Sequence, residues 1–146
     1  MSYQPGLFGK RLLPRDVHDL LYRNGWTEPL NMTRMVATVQ AESQFYSEAV
    51  GQVNSDGSQD FGLFQLNNGH WKDFAPSHYE FVELAFDPEK AAKVARQLWH
   101  DDVKAGGTGF RPWAAFNSGA YKEFVDVACR ALCNFSSVKL LGKPII

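Results

Sequence analysis

The stretch that decides the fold is Val36–Trp71, VATVQAESQFYSEAVGQVNSDGSQDFGLFQLNNGHW. It opens as an amphipathic helix. Met32, Met35, Val36 and Val39 recur at helical spacing, and Glu42 lies one turn beyond Val39 and two beyond Met35. The apolar stripe therefore carries Glu42 toward the core side. VNSDGSQD is turn chemistry, because Asn, Ser, Asp and Gly each favour bends, and it delivers Asp60. The apolar run Phe61–Leu66 then reads as a short strand, with Ala49–Val53 as its partner in a small antiparallel hairpin or three-stranded sheet. Gln65 and Asn67 flank Leu66 on that strand, so both amides face a cleft if Leu66 faces the core.

Outward from this stretch the chain is helical. Residues 1–13 read as an irregular N-terminal arm, and Pro14 suits a first helical turn. Val17, Leu20 and Leu21 share a face until Gly25 stops that helix, and Asn31 is placed to cap the next. Ser77 and Glu80 have capping-box spacing, and Asp87-Pro88 starts the longest helix. The inner face of that helix is read as Ala91, Ala92, Ala95, Leu98, Trp99 and Val103, with Lys90, Lys93 and Arg96 as a solvated face and Gly106-Gly107 as the stop. A helical turn follows Pro112, and a last helix runs from about Ala120 to Cys133, leaving 134–146 as a tail without periodicity. The expectation is a single α+β domain over 1–146, mostly helical, with one small β element beside a cleft.

Composition narrows the function. At 146 residues the chain can bury roughly 70% of its unfolded surface and needs no staples. A net charge of −1 excludes long-range steering toward nucleic acid. No apolar run reaches the roughly 18 residues of a membrane span, so no membrane insertion is expected. The N-terminal MSYQPGLFGKRLLPRD places Pro and Gly where an export signal needs an apolar centre, so none is read there. Cys129 and Cys133, four apart on one helix, read as unpaired core thiols made in a reducing cytoplasm.

Two carboxylates from two elements suit acid catalysis at a glycosidic bond, which needs a protonated acid at the leaving oxygen and a carboxylate to support the sugar cation. Raising a Glu from about 4.3 to about 6 costs roughly 2.3 kcal/mol, which partial burial supplies. Glu42 fits the acid, while Asp60, among Ser58, Gln59 and turn amides, should stay ionised. Each also has a plainer reading, Glu42 as a surface residue near a helix end and Asp60 as a turn residue. Trp71 and Trp113 either stack on sugars or sit in the core. Asp56, Ser58 and Asp60 mimic the start of a calcium loop, but Phe61 stands where that loop needs Gly and Asn67 where it needs Glu. The histidines show no ligand spacing, so neither metal nor cofactor is expected.

Taken together, ESQFYSEAV, SDGSQDFGLFQLNNGHW and GFRPWAAF resemble the catalytic-helix, hairpin and cleft-wall segments of the C-type lysozymes, the standard example of two carboxylates set apart by environment. AAFNSG resembles the A-x-Y-N-x-G motif of lytic transglycosylases and goose-type lysozymes, which share the lysozyme-like fold. The resemblance covers residues 30–125. It implies a muramidase cleaving the β-1,4 bond between N-acetylmuramic acid and N-acetylglucosamine. Glu42 would be general acid and Asp60 nucleophile or stabiliser, with Ser58, Gln65, Asn67, Trp71, Trp113 and Asn117 on the glycan. Four departures stand out. The link from Glu42 to Asp60 is one residue longer, His70 replaces a frequent Trp, the disulfides are absent, and Phe116 replaces the Tyr of the transglycosylase motif. The alternatives are a lytic transglycosylase giving 1,6-anhydro-muramyl products and a non-catalytic glycan-binding or structural virion module. Without an export signal, the expected setting is a bacteriophage protein made in the host cytoplasm. It would reach the wall after release or within a virion, with bacterial peptidoglycan as partner and virion proteins beside it.

Overall fold

The computed structural model describes residues 6–139. Helix α1, Pro14–Arg23, starts with proline at its first position, where a missing N–H costs nothing, and the Leu13 N–H donates to Asp16 (3.1 Å). Helix α2, Pro29–Ser43, is the axis of the molecule. Met32, Met35, Val36, Ala37 and Val39 are all buried, so α2 is covered on more than one face. Its N-cap is Glu28 and not Asn31: the Glu28 carboxylate accepts the N–H groups of Leu30 (3.0 Å) and Asn31 (2.8 Å). Pro29 at N1 was the stronger start signal, and it moves the helix three residues earlier.

Helix α2 ends on Gln44 in a left-handed conformation (φ +52°), and Phe45 follows with φ +69°. A non-glycine pair of this kind stores about 1–3 kcal/mol per residue. Burying the Phe45 ring returns a similar amount, about 2–3 kcal/mol. The reversal sends residues 45–50 back alongside the N-terminal arm. Leu12 N–H donates to Phe45 O (2.9 Å), Ser47 N–H to Lys10 O (2.8 Å), and Gly6 and Val50 exchange two bonds of 2.7 Å. The described part of the arm is therefore tied down by antiparallel bridges.

The sheet is smaller than the apolar run suggested. Strand β1, Asp60–Phe61, pairs antiparallel with β2, Leu66–Asn67, in the register Asp60 to Asn67 and Phe61 to Leu66, and Val50 bridges to Phe61 as a third edge. The expected strand Phe61–Leu66 is thus corrected, since Gly62–Gln65 is the turn between two strands. Leu63 and Phe64 are consecutive and both fully buried, which strand alternation forbids. Gly62 makes the turn feasible: its φ is +82°, and a Cβ there would lie 1.9 Å from the Ala85 carbonyl oxygen.

Helices α3, Trp71–Phe74, and α4, His78–Phe86, follow, the latter capped by Ser77, whose Oγ accepts the Glu80 N–H (3.2 Å). Asp87 caps α5, Pro88–Lys104, and accepts the Lys90 N–H (3.1 Å). Ala91, Ala92, Val94 and Ala95 are its buried residues, and Val103 is exposed because the last turn leaves the core. Arg96 is not on a solvated face: its guanidinium lies 5.2 Å from the Trp26 ring and 4.5 Å from that of Trp99. After α6, Ala114–Asn117, and a 3₁₀ turn at Ala120–Phe124, helix α7 runs Val125–Lys139. It continues past the expected end at Cys133, while 140–146 and the Cys133 side chain lie outside the described residues. Cys129 is exposed, not a core thiol, because α7 turns Ala128 inward instead.

Gly62→Ala should cost at least about 2 kcal/mol, from strain at positive φ and collision with α4. Chemical denaturation measures it. A variant as stable as the parent would show that hairpin and α4 are not in such close contact.

Candidate active site

Glu42 occupies the last turn of α2, between the buried Ser43 and the stripe from Val39. The chain comes back to it 73 residues later, where the Ala115 N–H donates to Glu42 Oε1 (3.0 Å). That amide belongs to the first turn of α6, whose early N–H groups have no partner inside the helix. Burial pushes the Glu42 carboxyl from 4.5 up to about 7; the Ala115 N–H pulls it down, and the charge of Asp60 pushes it further up. The result is an acid poised to hold or release a proton near neutrality.

Asp60 opens β1, directly opposite Asn67 in the ladder. Asn67 Nδ2 donates to Asp60 Oδ1 (3.0 Å) and to Ser58 Oγ (2.9 Å), and Ser58 Oγ in turn donates to Asp56 Oδ1 (2.6 Å). Asn54 donates to Ser58 Oγ (3.1 Å) and also bonds to Asp60. Burial raises the Asp60 pKa above its ordinary value, the two Asn amides oppose this, Asp56 adds to it and His70 works against it. Both carboxyls thus move up, but Asp60 alone has side-chain amides that favour its charged form.

The two acids line one cavity of about 350 Å³. Its lining comes from Ala41 and Glu42 of α2, Ala114 of α6, Gln52, Val53 and Asn54 of the loop before the hairpin, and Asp60 and Gln65 of the hairpin. The longer link from Glu42 leaves Asp60 on that cavity. A larger hollow, about 760 Å³, lies between α1 and the start of α5. Its Asp19 and Glu89 are paired with Arg23, so the acid chemistry points to the smaller one.

The remaining expected residues divide. Gln65 lines the cavity, but from a buried turn position (φ +48°), with Nε2 donating to Ala49 O (3.1 Å) and Gly62 O (3.0 Å). Ser58 and Asn67 act on Asp60 through the network above. Trp113 is corrected outright: it is 2% exposed, its indole N–H donates to Phe64 O (2.9 Å), and no ring face is left for a sugar. Trp71 is half-buried, its ring 4.7 Å from that of His78. Asn117 is exposed and donates to Arg111 O (2.8 Å), outside the cavity lining. The cavity residues that the sequence does not announce are Gln52 and Val53, expected on a strand, Asn54, expected in the turn, and the Ala115 amide, which no side chain marks. Among the described residues no group of three or more His, Cys, Asp or Glu side chains is placed to hold a metal ion.

With a folded pKa of about 7 against an ordinary 4.5, Glu42 binds its proton more tightly in the folded state. That stability is fully present below pH 4.5 and is lost as pH rises through about 7. Glu42→Gln keeps the neutral acid's shape without titrating. It should therefore gain on the parent across this window, by on the order of 3 kcal/mol at the alkaline end. Denaturant unfolding at about pH 4 and about pH 8 reads this out. Parallel pH dependences would mean that Glu42 is not desolvated.

Residues 21–124 match the family described as the transglycosylase SLT domain. A lysozyme of Hyalophora cecropia is 43% identical over 89 residues, 60% of this chain and 56% of that protein. The invasion protein IagB of Salmonella typhimurium is 30% identical over 96 residues, 66% of this chain and 59% of that protein. The chain thus spans less than two thirds of the length of these relatives. A lysozyme from Litopenaeus vannamei superposes with a TM-score of 0.62 at 23% identity, covering 83% of this chain and 98% of that one, which shows the fold. Matched over most of its length, the chain belongs to the transglycosylase SLT domain family and has the lysozyme-like fold.

Proposed function

We propose that this protein cleaves the glycan strands of bacterial peptidoglycan as a muramidase. The observation that carries the reading is Glu42: a half-buried acid whose carboxyl burial pushes up to about 7, bonded by the Ala115 N–H, on the same cavity as Asp60. Glu42 protonates the oxygen leaving from the β-1,4 bond between N-acetylmuramic acid and N-acetylglucosamine, while Asp60 supports the sugar cation or bonds to it. Glu42, now ionised, takes a proton from the water that completes hydrolysis. Activity falls as pH rises above about 7 and Glu42 loses its proton.

The family's name favours a second reading, transfer to an internal hydroxyl in place of water. Against it, Phe116 stands where the transglycosylase motif has Tyr. Its ring is stacked between Phe110 (4.4 Å) and Tyr121 (4.5 Å) and offers no hydroxyl.

Glu42→Gln should slow clearing of a peptidoglycan suspension by at least about 10²-fold in a folded variant, and retained clearing would sink the assignment. Mass spectrometry of products separates the two chemistries. Reducing muramyl ends are expected from the parent, with about 10²-fold loss in Asp60→Asn. Anhydro-muramyl ends, with Asp60 dispensable, would establish the transglycosylase.

A further inference from the structure

Helix α6 has four residues, too few to hold itself in place, yet its amide is the one that meets Glu42. Its position therefore depends on ties at either side. One tie is Asp102 on the last turns of α5, whose side chain is only 9% exposed. Asp102 Oδ2 accepts the backbone N–H groups of Gly109 (2.8 Å) and Arg111 (3.2 Å), and Oδ1 accepts Arg111 Nε (2.5 Å). The backbone is shaped to this carboxylate. A Cβ on Gly107 would lie 2.4 Å from Asp102 Oδ1, and Gly109 has φ +92° with no room for a Cβ against Trp99. A second tie is Asn117, whose Nδ2 donates to Arg111 O (2.8 Å), and a third is the Trp113 indole on Phe64 O. Arg111 is thus held by its N–H from one side and its carbonyl from the other, and α6 begins three residues later.

We propose that Asp102 is a positioning residue for the reaction: it clamps Gly109–Arg111 so that α6 delivers the Ala115 N–H to Glu42. The inference rests on Glu42 being the general acid. Asp60 is the titratable group that faces Glu42, and Arg111 the one that faces Asp102. If the clamp is lost, Trp113 still pins the wall to Phe64 and burial persists, but the donor that favours ionised Glu42 is withdrawn.

The test is a ¹³C NMR titration of the Glu42 carboxyl in Asp102→Ala and Arg111→Gln, alongside pH–rate profiles. Asp102→Ala should move the Glu42 titration and the alkaline limb upward by about half a pH unit or more, because a backbone donor to the charged form is lost. Arg111→Gln leaves the backbone bonds to Asp102 in place and should leave the titration where it is. An unmoved or downward-shifted titration in Asp102→Ala, or an equal shift in Arg111→Gln, overturns the clamp. Should Asp102→Ala not fold, Asp102→Leu, which fills the same space with no acceptor for the Gly109 and Arg111 N–H groups, is titrated instead and should shift in the same direction. The titration needs no turnover, so failure of the clamp is distinct from failure of Glu42 as the acid, which the activity of Glu42→Gln decides.

Discussion

One hydrogen bond organises this molecule, from the Ala115 amide to the Glu42 carboxyl. It joins the most buried helix to a four-residue turn near the other end of the chain, and it works against burial. Burial pushes the Glu42 carboxyl up, and the Ala115 N–H pulls it down. The carboxyl, pushed up to about 7, reflects both the packed stripe of α2 and a backbone donor aimed at it. Much of the remaining structure serves to bring these two together. Trp113 pins the wall to the hairpin turn, Gly62 lets that turn lie against α4, and Asp102 and Asn117 hold the approach to α6.

The second carboxyl is treated differently. Asp60 sits on a short ladder whose opposite residue, Asn67, is an amide donor, and Ser58, Asn54 and Asp56 extend the bonding outward. Such a network fixes the orientation of the carboxylate; its Asn67 and Asn54 amides favour the charged form, which partial burial and the nearby Asp56 oppose. One acid set by packing and a single backbone donor, the other by polar side chains, is a division of labour suited to proton donation and cation support.

Much of this was legible along the chain, and the failures have physical causes. The stripe from Met35 through Val39 to Glu42 was readable because helical periodicity is a local property. So were the caps at Ser77 and Asp87. The hairpin was found but its strands were misplaced, since the apolar run GLFQ looks like a strand until Gly62 and Gln65 take positive φ and turn both Leu63 and Phe64 inward. Trp113 was open between sugar platform and core because an indole serves either place. Its N–H bond to Phe64, 49 residues away, decides for the core. Arg96 and Cys129 went wrong for a similar reason, as the face each presents depends on partners from other segments.

The helix that carries Glu42 and the turn that carries Asp60 are written locally, because periodicity and turn chemistry act over a few residues. The sequence also carried the resemblance from which the chemistry was first read. Folding was needed to show that the longer link still leaves Asp60 on the cavity of Glu42, that Gln52, Val53 and Asn54 line that cavity, and that a backbone amide meets the Glu42 carboxyl. Those are relations between segments far apart in the chain. A pKa is a property of what surrounds a carboxyl, and folding alone supplies the surroundings.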